Sequence, residues 1–154
     1  MSEARTLLFG SWPEGYQALQ RLSVLVRGSG LDPALLELVK MRASQINGCA
    51  YCIDMHSKDA RAAGETEQRL YALSAWREAP FFTDRERGAL ALTEAVTLVA
   101  QAHAPQAVID EAASVFTPEE LTKLVYLIIE INAWNRLAIT VGAPEPGTYE
   151  AKAP

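Results

Sequence analysis

The 154-residue chain carries 49% hydrophobic and 21% charged residues, enough apolar material for a single domain, 1–154, with its own core. A net charge of −5 and the absence of any lysine/arginine run exclude a nucleic-acid backbone as the natural partner. The longest apolar stretch, residues 124–131, is interrupted by Glu130 and is too short to span a bilayer, so no membrane partner is expected.

The opening MSEARTLLFGSWPEGY does not read as a secretory signal, and a cytoplasmic location is expected. Residues 13–28 are predicted as the first helix, with Pro13 at its first position and Leu19, Leu22 and Val26 on one side. Asp32-Pro33 opens the second, with Leu35, Leu38, Val39, Arg42 and Ile46 along one side and Asn47-Gly48 as its stop. A third runs over about 50–63 to Gly64, and a shorter helical segment over 66–78.

Thr83-Asp84-Arg85-Glu86 has the form of a capping box and starts a helix over about 84–100. Phe82 before it reads as a hydrophobic staple, packing on Arg87 or a neighbour. A helix of about ten residues follows Pro105, and Thr117-Pro118-Glu119-Glu120 is a second capping box. The last helix, to about Val141, is the most apolar. Two apolar faces make it either central or a contact with another subunit. The tail APEPGTYEAKAP is expected to wrap a neighbour. No alternation of period two occurs, so the fold class is all-α, a bundle of about six helices.

The only two cysteines stand as Cys49-Ala50-Tyr51-Cys52, with His56 four residues on. In the expected reducing compartment a C-x-x-C pair is catalytic or metal-binding more often than a staple. Without a βαβ framework the thioredoxin reading falls away. On a helix starting near Ala50, Cys52 and His56 lie about 40° apart around the axis, so the ring can exchange the thiol proton. Cys49 falls at the helix start, where the partial positive charge favours thiolate. The three-residue spacing lets the sulfurs meet: a sulfenic acid on one is captured by the other as a Cys49–Cys52 disulfide. A zinc site on Cys49, Cys52 and His56 needs a fourth ligand, for which Glu37 is one choice. His103, the other histidine, reads as a surface loop residue.

Glu37, Cys49, Cys52 and His56 together form E-x11-C-x-x-C-x3-H, which resembles the signature of the alkylhydroperoxidase D-like (AhpD-like) proteins of the carboxymuconolactone decarboxylase superfamily. The stretch LLELVKMRASQINGCAYCIDMHSKDARAAGE carries most of the resemblance, which covers about residues 15–142. It implies an all-helical, oligomeric fold, a trimer or hexamer, and a thiol peroxidase or disulfide reductase activity. It also implies that Cys52 is peroxidatic, that Cys49 resolves, and that Glu37 and His56 relay protons. No cofactor beyond the redox-active disulfide and no metal is implied. A lipoyl protein is the implied external dithiol reductant, and a peroxiredoxin the implied downstream acceptor.

Some relatives place a second histidine immediately before the second cysteine, where this chain has Tyr51. A phenol with a pKa near 10 is a poor base at neutral pH but still hydrogen-bonds a water or a peroxide oxygen. The alternatives are a non-redox carboxymuconolactone decarboxylase-like enzyme and a zinc-binding or redox-sensing interaction protein. Asn132, Trp134, Asn135 and Arg136 read as a polar network in the bundle or as residues shaping the thiol pocket.

Overall fold

A computed structural model describes residues 10–151. Its elements are α1 (Pro13–Arg27), α2 (Pro33–Asn47), α3 (Ala50–Ala62), α4 (Glu67–Ala72), a 3-10 turn (Leu73–Ala75), α5 (Asp84–Thr97), α6 (Val99–Ala102), α7 (Gln106–Ala113) and α8 (Pro118–Thr140). The fold is all-α, and no strand occurs among the described residues. Among the described residues six helices are eight residues or longer, which is the expected bundle, and α4 and α6 are short additions. The predicted segment 66–78 tightens into the 3-10 turn at Leu73. The predicted helix 84–100 breaks at Leu98 and resumes as α6.

Local chemistry fixes the starts. The Asp32 carboxylate accepts from the Ala34 amide at 3.0 Å, and Pro33 follows at a position that needs no donor. Both capping boxes are complete: Thr83 with Glu86 opens α5, and Thr117 with Glu120 opens α8. The turn after α2 is the tightest in the site. Gly48 adopts φ +68°, a left-handed conformation that glycine takes without a Cβ clash, and the Cys49 amide returns to the Ser44 carbonyl at 3.0 Å.

The centre of the bundle is α2 rather than α8. It packs against α3, α5 and α8, and Leu35, Leu36, Leu38, Val39, Lys40, Met41, Ala43 and Ser44 are all buried. One apolar cluster joins Leu35, Leu36 and Val39 to Val26, Leu92, Phe116, Leu124, Leu127 and Ile128. A second joins Leu38 and Met41 to Leu70, Leu73, Trp76, Phe82 and Leu90. Lys40 is tolerated in this core because its ammonium reaches Glu37 at 3.7 Å. By contrast, α8 leaves Tyr126, Ile129 and Ile139 exposed in the single chain.

Polar groups tie the clusters together. Glu94 on α5 accepts from Arg42 Nε (2.9 Å) and Trp76 Nε1 (2.8 Å) and pairs with Arg77. The Arg69 guanidinium, rather than Arg87, lies over the Phe82 ring at 4.9 Å. Glu130 is buried on α8 and accepts from Ser23, which in turn accepts from Trp134 Nε1 at 2.8 Å. This is an intrachain network of the kind read for that helix.

Burial alone raises the Glu94 carboxyl, but hydrogen bonds from Trp76, Arg77 and Arg42 outweigh it and hold it below its ordinary 4.5. A carboxyl lowered in the folded state contributes stability above the unfolded value, lost as pH falls through the folded one. Glu94→Gln is therefore expected to cost about 1–2 kcal/mol in urea unfolding at neutral pH. The gap between variant and native protein is expected to shrink as pH drops below 4.5.

Candidate redox site

Only Gly48 and Cys49 separate α2 from α3, so α3 folds back along α2 with Cys49 as its N-cap residue. One turn into α3 comes Cys52, and one further turn brings His56. Cys49 and Cys52 are free thiols, 2% and 3% exposed, and His56 is 5% exposed. The helix pairing brings Glu37 of α2 to His56 of α3: Oε2 lies 2.8 Å from Nδ1. With Nδ1 engaged by the carboxylate, Nε2 is the ring nitrogen left to exchange a proton.

Burial pushes the Glu37 carboxyl up, but the His56 hydrogen bond and the charges of His56, Lys40 and Arg27 hold it below its ordinary value. It is therefore an anion at neutral pH, aimed at the imidazole.

The two sulfurs are not equivalent. A hydrogen bond from the Cys52 thiol brings Cys49 down to about 6, against the opposing effect of burial, with help from the Cys52 amide and Asn135. The Cys52 thiol is pushed up, first by that same hydrogen bond and then by burial. Resting charge thus sits on Cys49 at the helix start, as the dipole argument anticipates, and Cys52 holds the proton.

Asn135 of α8 faces both sulfurs and favours charge on either. It is fully buried, donates to Ser44 Oγ at 3.0 Å and accepts from Asn47 Nδ2 at 2.9 Å. Asn47 also donates to Asn132 at 3.0 Å, and Asn132 donates to Thr97 at 2.9 Å. The asparagines of α8 are therefore both a buried network and one wall of the thiol site. Tyr51 is half-buried beside the pair. Burial and the charges of Cys52, Tyr16, Asp54 and Asp59 raise its phenol, so it stays protonated. His103 is an exposed residue capping α6, remote in sequence and role.

Two residues escaped the sequence reading. Asp59, one turn beyond His56, offers a carboxylate oxygen within 4.8 Å of donor atoms of Glu37 and His56. Tyr149 of the tail donates to Asp59 Oδ1 at 2.8 Å. Burial, the Asp59 bond, and the Asp59, Glu37 and Tyr51 charges push its phenol up to about 12. The tail is further pinned by the Gly147 amide on Asp54 (3.0 Å) and by Lys58 on the Tyr149 carbonyl (2.8 Å). Residues 147–149 thus strap α3 of their own chain. The N-terminal residues 1–9 and the last three, also expected to wrap a neighbour, lie outside the described residues. Glu37, His56 and Asp59 are also the donors, among the described residues, grouped closely enough to hold a metal ion; neither cysteine joins them.

An all-α bundle with a buried dithiol at a helix start, and an imidazole one turn further along that helix paired with a carboxylate of the neighbouring helix, defines the class. The sequence matches the model of the carboxymuconolactone decarboxylase family over residues 13–95, and the chain belongs to that family. It is 41% identical over 130 residues to the uncharacterized protein YdfG of Bacillus subtilis, covering 84% of this chain and 88% of that one. A shorter match, 37% over 67 residues, is to the alkyl hydroperoxide reductase AhpD of Bradyrhizobium diazoefficiens; it covers 43% of this chain and 37% of that protein. Among solved structures, a protein of unknown function from Agrobacterium tumefaciens, proposed for antioxidant defence as an AhpD, superposes with a TM-score of 0.82. Its identity is 37%, over 92% of this chain and 94% of that one. The fold is AhpD-like.

Removing the phenol tests the strap. Tyr149→Phe deletes a hydrogen bond to a carboxylate, about 1.5 kcal/mol, and is expected to raise local opening of the tail roughly tenfold. Hydrogen exchange over residues 145–149 should accelerate with helix content unchanged. Unaltered exchange would mean that the phenol does not hold the tail.

Proposed function

We propose that the protein is a thiol-dependent peroxidase or disulfide reductase of the AhpD type. The observation that carries this reading is the Glu37 carboxylate 2.8 Å from His56 Nδ1, with His56 on the helix that also carries two buried free thiols in C-x-x-C spacing. A proton relay serving a thiol needs each part of it.

In the proposed cycle Cys52 gives its proton toward His56 and attacks the peroxide O–O bond as thiolate. Oxygen transfers to Cys52 as a sulfenic acid, and the departing alkoxide or hydroxide takes a proton from the imidazolium. The Cys49 thiolate then attacks the Cys52 sulfur, the S–S bond forms, and hydroxide leaves as water with a proton that the relay takes up from solvent. An external dithiol returns two electrons and reopens the disulfide. The elevated Cys52 thiol explains why a relay is needed: the attacking sulfur starts protonated, and the Glu37 anion keeps the imidazole ready to accept. Tyr51 is a hydrogen-bond donor to the peroxide oxygen in this scheme.

A lipoyl protein as electron donor, a peroxiredoxin as downstream acceptor and a homo-oligomeric assembly belong to the same proposal. The exposed Val24, Leu25, Tyr126 and Ile129 support assembly, because they leave apolar surface uncovered in one chain.

Intact-mass measurement after one equivalent of peroxide should show a loss of about 2 Da, reversed by a dithiol. Cys52→Ser is expected to abolish turnover, and Cys49→Ser to leave a sulfenic acid on Cys52 that dimedone traps. Full peroxidase turnover in the Cys52→Ser protein would refute the assignment.

A further inference from the structure

We infer that Cys49 is the sulfur attacked by the external dithiol, which approaches through the cleft between the start of α3 and the end of α8; the inference rests on the dithiol reading above. Cys49, Ala50 and Tyr51 form one side of this cleft, Ala138 and Ile139 the other, and residues 142–146 its lip. Cys52, His56 and Glu37 do not line it. The cleft therefore leads to one member of the pair, and the relay lies beyond it.

In-line geometry then fixes the course of reduction. Thiol–disulfide exchange needs the incoming sulfur, the attacked sulfur and the leaving sulfur close to one line. A thiolate arriving through the cleft meets Cys49 first, with Cys52 behind it. The new bond forms to the Cys49 sulfur, the Cys49–Cys52 bond breaks, and Cys52 leaves into the buried side that holds His56. There it takes a proton and is released as a thiol. The second thiol of the reductant, as thiolate, attacks its own sulfur in the mixed disulfide and releases Cys49 as thiolate, the form its surroundings favour. Two electrons pass from the dithiol to the protein, and the dithiol leaves as a disulfide. The site is thus two-sided: peroxide chemistry belongs to Cys52 and the relay, reductant chemistry to Cys49 and the cleft.

The lining also selects among thiols. Glu145 is the one charged side chain of the cleft, and alanine, isoleucine, proline and the tyrosine ring make up most of the rest. An uncharged dithiol on an apolar stem fits such walls. An anionic thiol such as glutathione meets Glu145 with no cation in the lining to offset it.

Exchange in either direction passes through the same mixed disulfide, so the attack can be read in reverse on the reduced protein. Full-length Cys52→Ser, which keeps Cys49, and Cys49→Ser, which keeps Cys52, are each mixed with neutral dithiodipyridine, and thiopyridone release is followed. The Cys52→Ser protein is expected to react at least about tenfold faster. Limiting N-ethylmaleimide on reduced native protein, followed by peptide mapping, gives a readout independent of both variants, and the adduct is expected on Cys49. Equal rates, faster Cys49→Ser, or an adduct mainly on Cys52 would overturn the inference. Its failure is distinct from that of the peroxidase reading. Cys49 preference with no oxidation by peroxide removes the peroxidase and leaves the cleft assignment; oxidation by peroxide with exchange at Cys52 does the reverse.

Discussion

The left-handed turn at Gly48 is the constraint on which the site depends. It ends α2 and starts α3 with two residues between them, Gly48 itself and Cys49. The first cysteine is thereby an N-cap, the second is one turn inside the helix, and His56 is one turn further. Because α3 is folded back along the most buried helix of the bundle, a carboxylate on α2 meets the imidazole on α3. Any residue with a Cβ at position 48 would strain this backbone, and the strain would fall on the sulfurs and the relay together.

The hydrogen bond between the two thiols then divides labour between them. Charge settles on Cys49, which has the helix start, and the proton settles on Cys52. The Glu37 anion is stabilised within the core by His56 and Lys40. Asn135 complements this from α8 as a neutral donor that tolerates either sulfur as the anion. The tail adds a further layer: Tyr149 on Asp59 closes the far side of the relay, while residues 142–146 edge the cleft over Cys49.

Much of this was legible in the chain because its signals are local. Asp32-Pro33 and the two T-x-x-E boxes mark their helix starts through bonds spanning two or three residues. The cysteines and His56 sit on one helix, so spacing alone phases them. Glu37 became legible only through the family spacing, since nothing near it in sequence distinguishes it from a solvated helix face. The breaks at Leu73 and Leu98 contain neither glycine nor proline, so no local residue signal marks them. The central position of α2 was not announced by its sequence, which carries Lys40 and Arg42; both reach carboxylates, Glu37 and Glu94. Tyr149 and Asp59 are 90 residues apart, and no periodicity or motif announces a contact of that kind.

The central claim is that the Glu37–His56 pair moves the proton that frees Cys52. Glu37→Gln keeps the shape of the side chain and the α2–α3 contact but removes the charge that supports imidazolium. The most direct measurement is the rate of the first thiol oxidation by hydrogen peroxide, followed by stopped flow in native and Glu37→Gln protein of equal helicity. The account requires a fall of about 10²-fold or more. An unchanged rate, with both cysteines still forming the disulfide, would contradict it.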